Sequence, residues 1–391
     1  MSDGFLPYGR QWIDDADIEA VTTCLKSDYL TTGPAVSAFE RAFATVVQAP
    51  HAVSCHSATA GLHLAYDALG LGPGQCAIVP AITFVATANA ARYCGADVIV
   101  CDVDPDNGLM TPDTLSEALQ QLVGRPGLVA PVHLAGVPCD MPALAELARA
   151  HGLSVVEDAS HAVGSLDEAG SPTGACPHSD AAVFSFHPVK TLACGEGGMV
   201  TTRDAALAER MALTRSHGVV READRFERSA GADEPWWYEM QALGWNYRMP
   251  DINAALGLSQ LNKLELFASR RRQLARAYDD LLEGQGSLLA PSAGRAGVDP
   301  CRHLYNIRID FQALGKPRAQ VMTELREQGI GTQVHYIPVH QHPYYVRLNG
   351  ERTLPGAEHH YARTLSLPLY PMMADEDPER VVSALKVVLG L

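Results

Sequence analysis

The sequence has no pair of cysteines separated by two residues, and its nine cysteines are scattered singly along 391 residues. An odd number of isolated cysteines excludes a disulfide framework and a zinc ribbon as organising elements. No apolar run approaches the roughly 20 residues that span a bilayer, and the first ten residues lack the charged-then-apolar order of a secretion signal. These absences predict a cytoplasmic protein with no membrane partner.

Positive charge is scarce, with 30 Lys and Arg against 45 Asp and Glu, and a formal net charge of −15. This balance argues against a nucleic-acid partner, because nucleic acids reward a basic surface. The one dense basic run, residues 270–272, is expected to be the solvated face of a helix. Fifteen histidines leave a metalloenzyme as an alternative. However, the pairs His340/His342 and His359/His360 lack the spacing of a metal-binding helix.

Short apolar segments alternate with helical patterns between about residues 50 and 200. The strand-like runs are residues 77–79, 98–101, 128–132, 153–156, 181–186 and 199–202, and the helical patterns are residues 58–69, 85–94, 112–122 and 142–151. This alternation predicts an α/β fold whose parallel-rich sheet is covered by helices on both faces. In such sheets, ligands bind outside the carboxyl ends of the strands.

The pattern changes after Gly198. An irregular segment at 221–245 resembles a surface loop, and an amphipathic helix is predicted at about 250–283, with a break near Phe267. A second α+β unit is predicted from strands at 303–310 and 332–336 and helices at 317–328 and 378–389. The predicted domains are an N-terminal arm at 1–20, a large domain at 21–265 and a small domain at 266–391.

Lys190 stands in an unusual setting, within F-S-F-H-P-V-K-T-L-A-C-G-E-G-G-M-V at residues 184–200. A predicted buried strand precedes this lysine, and Gly195, Gly197 and Gly198 follow it. A lysine with few charged neighbours beside a strand end is a candidate for covalent chemistry on a carbonyl. Its pKa must then fall from about 10.4 toward neutrality. The alternative is a solvated loop lysine.

Three further segments offer what a pyridoxal phosphate (PLP) cofactor bonded to that lysine needs, each where a strand is predicted to lead into a helix. Residues 57–61, S-A-T-A-G, open a helix that could bind the phosphate, and Ser185 could add a hydroxyl. Asp158 could hold the pyridine nitrogen, His161 the ring oxygen, and Phe84 could cover the ring. Each residue also has an ordinary explanation, namely a helix cap, a partly buried histidine or a core aromatic.

Five blocks resemble the sugar-nucleotide aminotransferases of the DegT type, over nearly the whole chain. They are S-A-T-A-G-L-H-L-A, P-A-I-T-F-V-A-T-A-N-A, E-D-A-S-H-A-V-G, S-F-H-P-V-K with G-E-G-G-M-V-T-T, and G-W-N-Y-R-M-P-D-I-N-A-A-L-G-L-S-Q-L. The resemblance implies the fold-type-I PLP transferase architecture and a homodimer with shared active sites. It favours transamination, because Lys190 stands where the dehydrases of the family have histidine.

The resemblance also implies roles for individual residues, with Lys190 as the catalytic lysine and Asp158 as the pyridinium partner. The implied cofactor contacts are Ser57, Ala58, Thr59, Phe84, Asp158, His161, Ser185, Lys190 and, from the neighbouring subunit, Asn246. The implied substrate contacts are Tyr8, Asp28, Tyr29, Leu30, Thr31, Ser57, Asn246, His335 and Tyr336. The chain departs from its relatives at Ala193 and Cys194, where a polar pair is frequent, and this puts loop contacts in doubt.

The segments L-P-Y-G-R, K-S-D-Y-L-T-T-G-P and T-Q-V-H-Y-I-P-V-H resemble enzymes of the pseudaminic acid pathway. The implied reaction moves the amino group of L-glutamate to C4 of a UDP-linked 2-acetamido-2,6-dideoxy-4-ketohexose. One alternative is an aminotransferase for another nucleotide-linked 4- or 3-keto sugar, GDP- or dTDP-linked. The other is a catalytically silent PLP-binding regulator, although no added DNA-binding module is visible in the sequence.

Overall fold

The computed structural model describes residues 4–228 and 233–391. Gly231, within the irregular segment predicted at 221–245, therefore lies outside the described residues, as do residues 1–3 of the predicted arm. In chain order the strands are β1 (His51–Cys55), β2 (Gln75–Pro80), β3 (Asp97–Cys101), β4 (Arg125–Val129), β5 (Ser154–Asp158), β6 (Ala181–Ser185), β7 (Gly198–Thr202), β8 (Val219–Val220), β9 (Glu239–Met240), β10 (Leu289–Pro291), β11 (Tyr305–Ile309) and β12 (Thr364–Leu367).

Between β1 and β5, helices alternate with strands along the chain. The helices are α1 (Asp15–Leu25), α2 (Pro34–Val46), α3 (Ala58–Ala68), α4 (Ala86–Tyr93), α5 (Pro112–Leu119), α6 (Met141–Ala150), α7 (Ala205–Thr214), α8 (Asp251–Leu261), α9 (Leu264–Leu282), α10 (Arg318–Glu327), α11 (Pro343–Asn349), α12 (Pro355–Arg363) and α13 (Asp377–Leu389). Short 3₁₀ turns lie at Leu134–Gly136, Ala223–Arg225 and Val339–Gln341.

A seven-stranded mixed sheet forms the centre of the larger unit, in the order β1-β7-β6-β5-β4-β2-β3. The strands from β6 to β3 in this order are all parallel, whereas β7 runs antiparallel to both of its neighbours. Strand β6, A-A-V-F-S, shows why helices cover both faces. Val183 belongs to the core that contains α3 and α4, and Phe184 belongs to the core that contains Phe39 and Phe43 of α2. Alternate residues of one apolar strand thus feed two cores, which confirms the predicted architecture.

The second unit is built on an antiparallel three-stranded sheet, β10-β11-β12. Its core joins these strands to α10, α13 and the second half of α9, and Leu6 from the N-terminal segment packs into it. Helix α9 contributes to two cores, because Leu264 and Phe267 pack with α2 and α8 whereas Leu274 packs with the second unit. The domain boundary near residue 265 stays a prediction.

Two predicted elements in the second half of the chain differ from the structure. The strand predicted at 332–336 does not form, and only Gln333 makes a single antiparallel bridge, to Ser366. Strand β11 pairs instead with β10 and β12, and neither has a counterpart among the predicted strands. The long helix ends at Leu261 and restarts at Leu264, a few residues before the break expected near Phe267.

The basic run at 270–272 is not a solvated helix face. Arg271 is fully buried, and Arg272 donates to the carbonyl of Gly164 at 2.8 Å and to Asp299 Oδ1 at 2.9 Å. Arg270 donates to Asp375. The expectation of a solvated face is wrong because an arginine can satisfy its donors on backbone carbonyls inside the protein, which a charge count does not reveal.

Candidate active site

A cavity of about 460 Å³ opens beyond the carboxyl ends of β5 and β6 and beside the start of α3. Eleven predicted site residues line it: Tyr8, Ser57, Ala58, Thr59, Phe84, Asp158, His161, Ser185, Lys190, His335 and Tyr336. Their positions span the chain from its N-terminal segment to the second unit. Parallel strands deliver several of them because the carboxyl ends of such strands meet at one edge of the sheet.

The N-terminus of α3 faces this cavity. Ser57 is its N-cap, and the Ser57 hydroxyl accepts the N–H of Ala60 at 3.2 Å. The helix start therefore presents the N–H groups of Ala58 and Thr59, which have no acceptor within the helix. Gly198 of β7 allows this helix start to approach the sheet, because an added Cβ would lie 2.6 Å from the Ser57 carbonyl. The arrangement suits an anion such as a phosphate.

Asp158 is the last residue of β5, and its side chain is buried. Its Oδ2 accepts a 2.7 Å hydrogen bond from Thr87 Oγ1, and its Oδ1 accepts the N–H of Ser160 at 3.1 Å. The chain turns after β5, without the helix that the sequence led us to expect there. The carboxylate is therefore held by an α4 hydroxyl and a turn, and not at a helix N-cap.

Lys190 lies in the turn after β6 and is half-buried. Burial lowers the pKa of its amine to about 8, although the nearby Asp158 carboxylate acts in the opposite direction. The charged form of the amine loses solvation, so a substantial fraction of Lys190 is neutral near physiological pH. A neutral amine in a cavity can act as a nucleophile or as a proton carrier.

One wall of the cavity is formed by two histidines and two tyrosines, namely His161, His335, Tyr8 and Tyr336. His161 accepts the N–H of Ala135 at Nδ1, 3.2 Å away, and its Nε2 lies 3.1 Å from the Tyr336 hydroxyl. His335 contacts Tyr8 with 5.5 Å between ring centroids. Burial lowers the pKa of His161 well below its usual range, with help from the charges of Lys190 and His335, and lowers that of His335 to about 3. Both imidazoles are therefore neutral.

Phe84 lies between β2 and α4, where its ring is 58% exposed and lines the cavity. Its centroid is 6.1 Å from that of Tyr336, with the two planes inclined at 55°. An exposed aromatic face at a cavity mouth is not part of a core, so the alternative of a core aromatic is wrong for this residue. A flat face in this place can cover a bound ring.

The remaining predicted residues do not line this cavity. They are Asp28, Tyr29, Leu30, Thr31 and Asn246, all exposed. Of these residues, Leu30 and Thr31 lie against the start of α8. Thr31 bridges Pro250, and the Leu30 carbonyl accepts the N–H of Asp251 at 3.0 Å, five residues beyond Asn246.

Sequence reasoning missed several side chains of the site, among them Thr87, Glu196 and His303. Thr87 holds the Asp158 carboxylate, Glu196 lines the cavity from the glycine-rich loop, and His303 lines it from the segment before β11. The His303 ring centroid is 4.7 Å from that of His161. A signal existed for Glu196 within G-E-G-G. None existed for His303, since contact between that segment and β5 is a property of the tertiary fold.

A comparison with protein families matches residues 11–386 to the DegT/DnrJ/EryC1/StrS aminotransferase family. The chain belongs to this family. The spore coat polysaccharide biosynthesis protein SpsC of Bacillus subtilis is 39% identical over 388 residues, which cover 98% of this chain and 97% of SpsC. The family assignment therefore rests on nearly the whole length of both chains.

Two solved structures of similar proteins agree with the fold. PseC of Helicobacter pylori, an aminotransferase involved in the biosynthesis of pseudaminic acid, is 28% identical with a TM-score of 0.88, covering 99% of each chain. Spr1654 of Streptococcus pneumoniae in its PLP-form is 29% identical with a TM-score of 0.88, again covering 99% of each chain. This member of the DegT family is a PLP-dependent sugar aminotransferase with the fold-type-I architecture.

The residues of the cavity fit this cofactor. An anion cradle at the start of α3, a buried carboxylate at the end of β5, an exposed aromatic face and a lysine of lowered pKa match the four parts of PLP: phosphate, pyridine nitrogen, ring and aldehyde. Among residues 4–228 and 233–391, no cluster of three or more His, Cys, Asp or Glu side chains is arranged to hold a metal ion.

Proposed function

We propose that this protein moves the amino group of L-glutamate to C4 of a UDP-linked 2-acetamido-2,6-dideoxy-4-ketohexose. The product is UDP-4-amino-4,6-dideoxy-N-acetyl-β-L-altrosamine, an intermediate of pseudaminic acid biosynthesis. The observation that carries an amino-transfer role is the Lys190 amine, whose pKa burial lowers to about 8, in the same cavity as the Asp158 carboxylate. The sugar is supported by the likeness to PseC and by the sequence segments around Tyr8, residues 26–34 and His335.

We assign the cofactor contacts as follows. Ser57, Ala58, Thr59 and Ser185 hold the phosphate, Asp158 the pyridine nitrogen, His161 the ring oxygen, and Phe84 the ring face. When bound, PLP supplies an aldehyde that takes up the amino group and a ring that withdraws electrons from the reacting carbon. Asp158 is suited to its part because Thr87 and the Ser160 N–H already orient the carboxylate.

Lys190 is the group that we assign to proton transfer. In its neutral form, Nζ would take the α-proton from bound glutamate and deliver it to C4′ of the cofactor. The same Nζ then acts in the opposite direction when the keto sugar is bound. Because one cavity serves both substrates in turn, the kinetics are expected to be ping-pong.

The site is completed, in our proposal, by a second copy of the chain. Asn246 and residues 28–31 are exposed outside the cavity of their own chain, and Tyr29 and Leu30 are 54% and 47% exposed. Exposed apolar side chains beside polar ones are typical of an interface. We propose a homodimer in which these residues reach the cavity of the partner, with Asn246 contacting cofactor and substrate.

We also propose a cytoplasmic location. All nine cysteines are free thiols, and their pattern is typical of a reducing compartment. None of the helices in the described parts of the chain is long and apolar enough to cross a membrane.

The defining experiment supplies the holoenzyme with L-glutamate and the UDP-linked 4-keto sugar, and identifies the product by mass spectrometry and NMR. GDP- and dTDP-linked keto sugars are tested in parallel, because the identity to PseC is only 28%. A 4-amino product formed fastest from the UDP sugar supports the proposal. Faster turnover of a GDP- or dTDP-linked sugar would identify that sugar as the substrate instead. No turnover of any sugar would favour a silent PLP-binding regulator.

A further inference from the structure

The proposed amino donor, L-glutamate, carries two carboxylates that the cavity has to bind. The lining of the cavity, all of it within the described residues, contains no arginine, and its one lysine is Lys190. Carboxylates are usually bound by charged or strongly polarised N–H and O–H donors. Within this chain, the groups open to the donor's carboxylate are therefore the uncharged donors of this wall.

Three buried histidines line the cavity, and the hydrogen bonds of two of them leave no spare N–H. His161 accepts the Ala135 N–H at Nδ1, so its proton lies on Nε2 and is donated to Tyr336. The Tyr336 hydroxyl accepts this bond at 3.1 Å and keeps its own O–H for the cavity. Burial raises the pKa of Tyr336, so the hydroxyl stays protonated.

His335 has the opposite tautomer to His161. Its Nδ1 lies 2.7 Å from Ser366 Oγ, and that hydroxyl donates to Asn306 Oδ1, also at 2.7 Å. The Ser366 oxygen therefore accepts from His335, which places the proton on Nδ1 and a lone pair on Nε2. A neutral ring with an acceptor toward the cavity repels a carboxylate.

His303 is the remaining buried histidine. Its Nδ1 is shut off from solvent and has no hydrogen-bond partner in the described part of the chain. Orphaned buried N–H groups are rarer than orphaned acceptors, so the proton is favoured on Nε2. The ring lines the cavity beside His161, with 4.7 Å between their centroids. His303 and the Tyr336 hydroxyl thus flank the same imidazole.

A buried positive charge lies behind His303. Arg271 is fully buried, and its Nη1 donates to the carbonyls of His303 at 3.2 Å and Leu369 at 3.0 Å. Among the described residues, no carboxylate lies within ion-pair distance of this guanidinium. Burial lowers its pKa to about 10, which still leaves it charged at neutral pH. A buried cation without a counter-ion makes this wall attractive to an anion.

We infer that His303 Nε2–H and the Tyr336 hydroxyl form a subsite for a carboxylate of the amino donor, backed by the charge of Arg271. The inference rests on the proposed function and names the part of the cavity that accepts the dicarboxylate. It makes His303 a specificity residue for the donor, with no part in binding the nucleotide. Amines that carry no carboxylate are then expected to be poor donors.

The test uses the holoenzyme and glutarate, a dicarboxylate without an amino or keto group, so binding is measured without turnover. Two variants of similar polarity are compared, His303→Gln and His303→Asn. A glutamine amide nitrogen reaches about as far from the backbone as Nε2, whereas that of asparagine does not. Isothermal titration gives the Kd for glutarate, and UDP is titrated as a control for an intact site.

We expect His303→Gln to bind glutarate within about threefold of the wild type, and His303→Asn to bind it about tenfold or more weakly. The Kd for UDP should be the same in all three proteins. Equal glutarate affinities in the two variants, or a wild type that does not bind glutarate, would overturn the inference. A wild type that binds glutarate but aminates no sugar would instead remove the proposed function, leaving the carboxylate subsite in place.

Discussion

The Oγ1 of Thr87 lies 2.7 Å from Oδ2 of Asp158, so a hydroxyl of α4 holds the carboxylate that ends β5. Both side chains are buried, and Thr87 is in turn 2.8 Å from the hydroxyl of Thr83. A buried carboxylate that loses a donor must bear part of its desolvation cost, which is about 1–3 kcal/mol. The orientation of Asp158 toward a bound pyridine therefore depends on a residue of another element.

Replacing this threonine tests the dependence. We expect Thr87→Val, which keeps the shape but removes the hydroxyl, to weaken PLP binding about tenfold, because the Asp158 carboxylate loses its 2.7 Å partner. The Kd is measured by titrating cofactor-free protein with PLP. Thr87→Ser keeps a hydroxyl and serves as the matched control. Equal affinities for the valine and serine variants would show that the hydrogen bond has no part in cofactor binding.

Gly198 is expected to be essential to the phosphate cradle. An alanine Cβ at this position would lie 2.6 Å from the carbonyl of Ser57 and 2.7 Å from the N of Ala58, and both are backbone atoms that cannot swing aside. Gly198→Ala should therefore displace the start of α3 and lower PLP affinity by at least about tenfold. Gly72→Ala, whose nearest neighbour would be 4.0 Å away, is the control. Unchanged affinity in Gly198→Ala would refute the proposed cradle.

The reactivity of Lys190 in cofactor-free protein should follow its lowered pKa. Because burial lowers the pKa to about 8, the amine should be half deprotonated near pH 8 and reach full reactivity about two pH units above it. Competitive acetylation, read by mass spectrometry of the Lys190 peptide, measures this profile. Exposed Lys26 provides the internal reference for the reagent. A Lys190 profile that still rises steeply above pH 10 would mean an ordinary, solvated lysine.

Hybrid dimers test whether two chains share each site. Lys190→Ala and Asn246→Ala are expected to be inactive separately, because one lacks the amine and the other the residue offered to the partner. Mixing and refolding equal amounts should restore about one quarter of wild-type activity, since half of the dimers are hybrids with one intact site. Native mass spectrometry of the mixture, with an affinity tag on one variant, confirms the mixed dimers. Recovery of no activity would place Asn246 in the site of its own chain.

The sequence was most informative where chemistry follows a strand end. Lys190, Asp158 and Ser57 could be predicted together because parallel strands bring their carboxyl ends to one edge of the sheet, whatever the loops between them do. The fold class follows from the same alternation of apolar strands and helices. The helix expected after β5 was wrong, since the chain turns there instead.

The sequence was least informative where distant segments meet. His303 reaches the cavity through the second unit, and Thr87 reaches Asp158 across 71 positions of the chain. Neither contact leaves a local pattern, because each depends on how the sheet and the second unit pack. The strand predicted at 332–336 failed for the same reason, since the segments that pair with β11 are β10 and β12.

The central claim is that the Lys190 amine bonds covalently to the PLP aldehyde, and chemical trapping tests it most directly. Holoenzyme is reduced with sodium borohydride, digested and sequenced by mass spectrometry. We predict one pyridoxyl phosphate group per chain, on the peptide that contains Lys190, and no label in Lys190→Ala. Protein that stays colourless with added PLP and carries no adduct, or an adduct on a different lysine, would contradict the account.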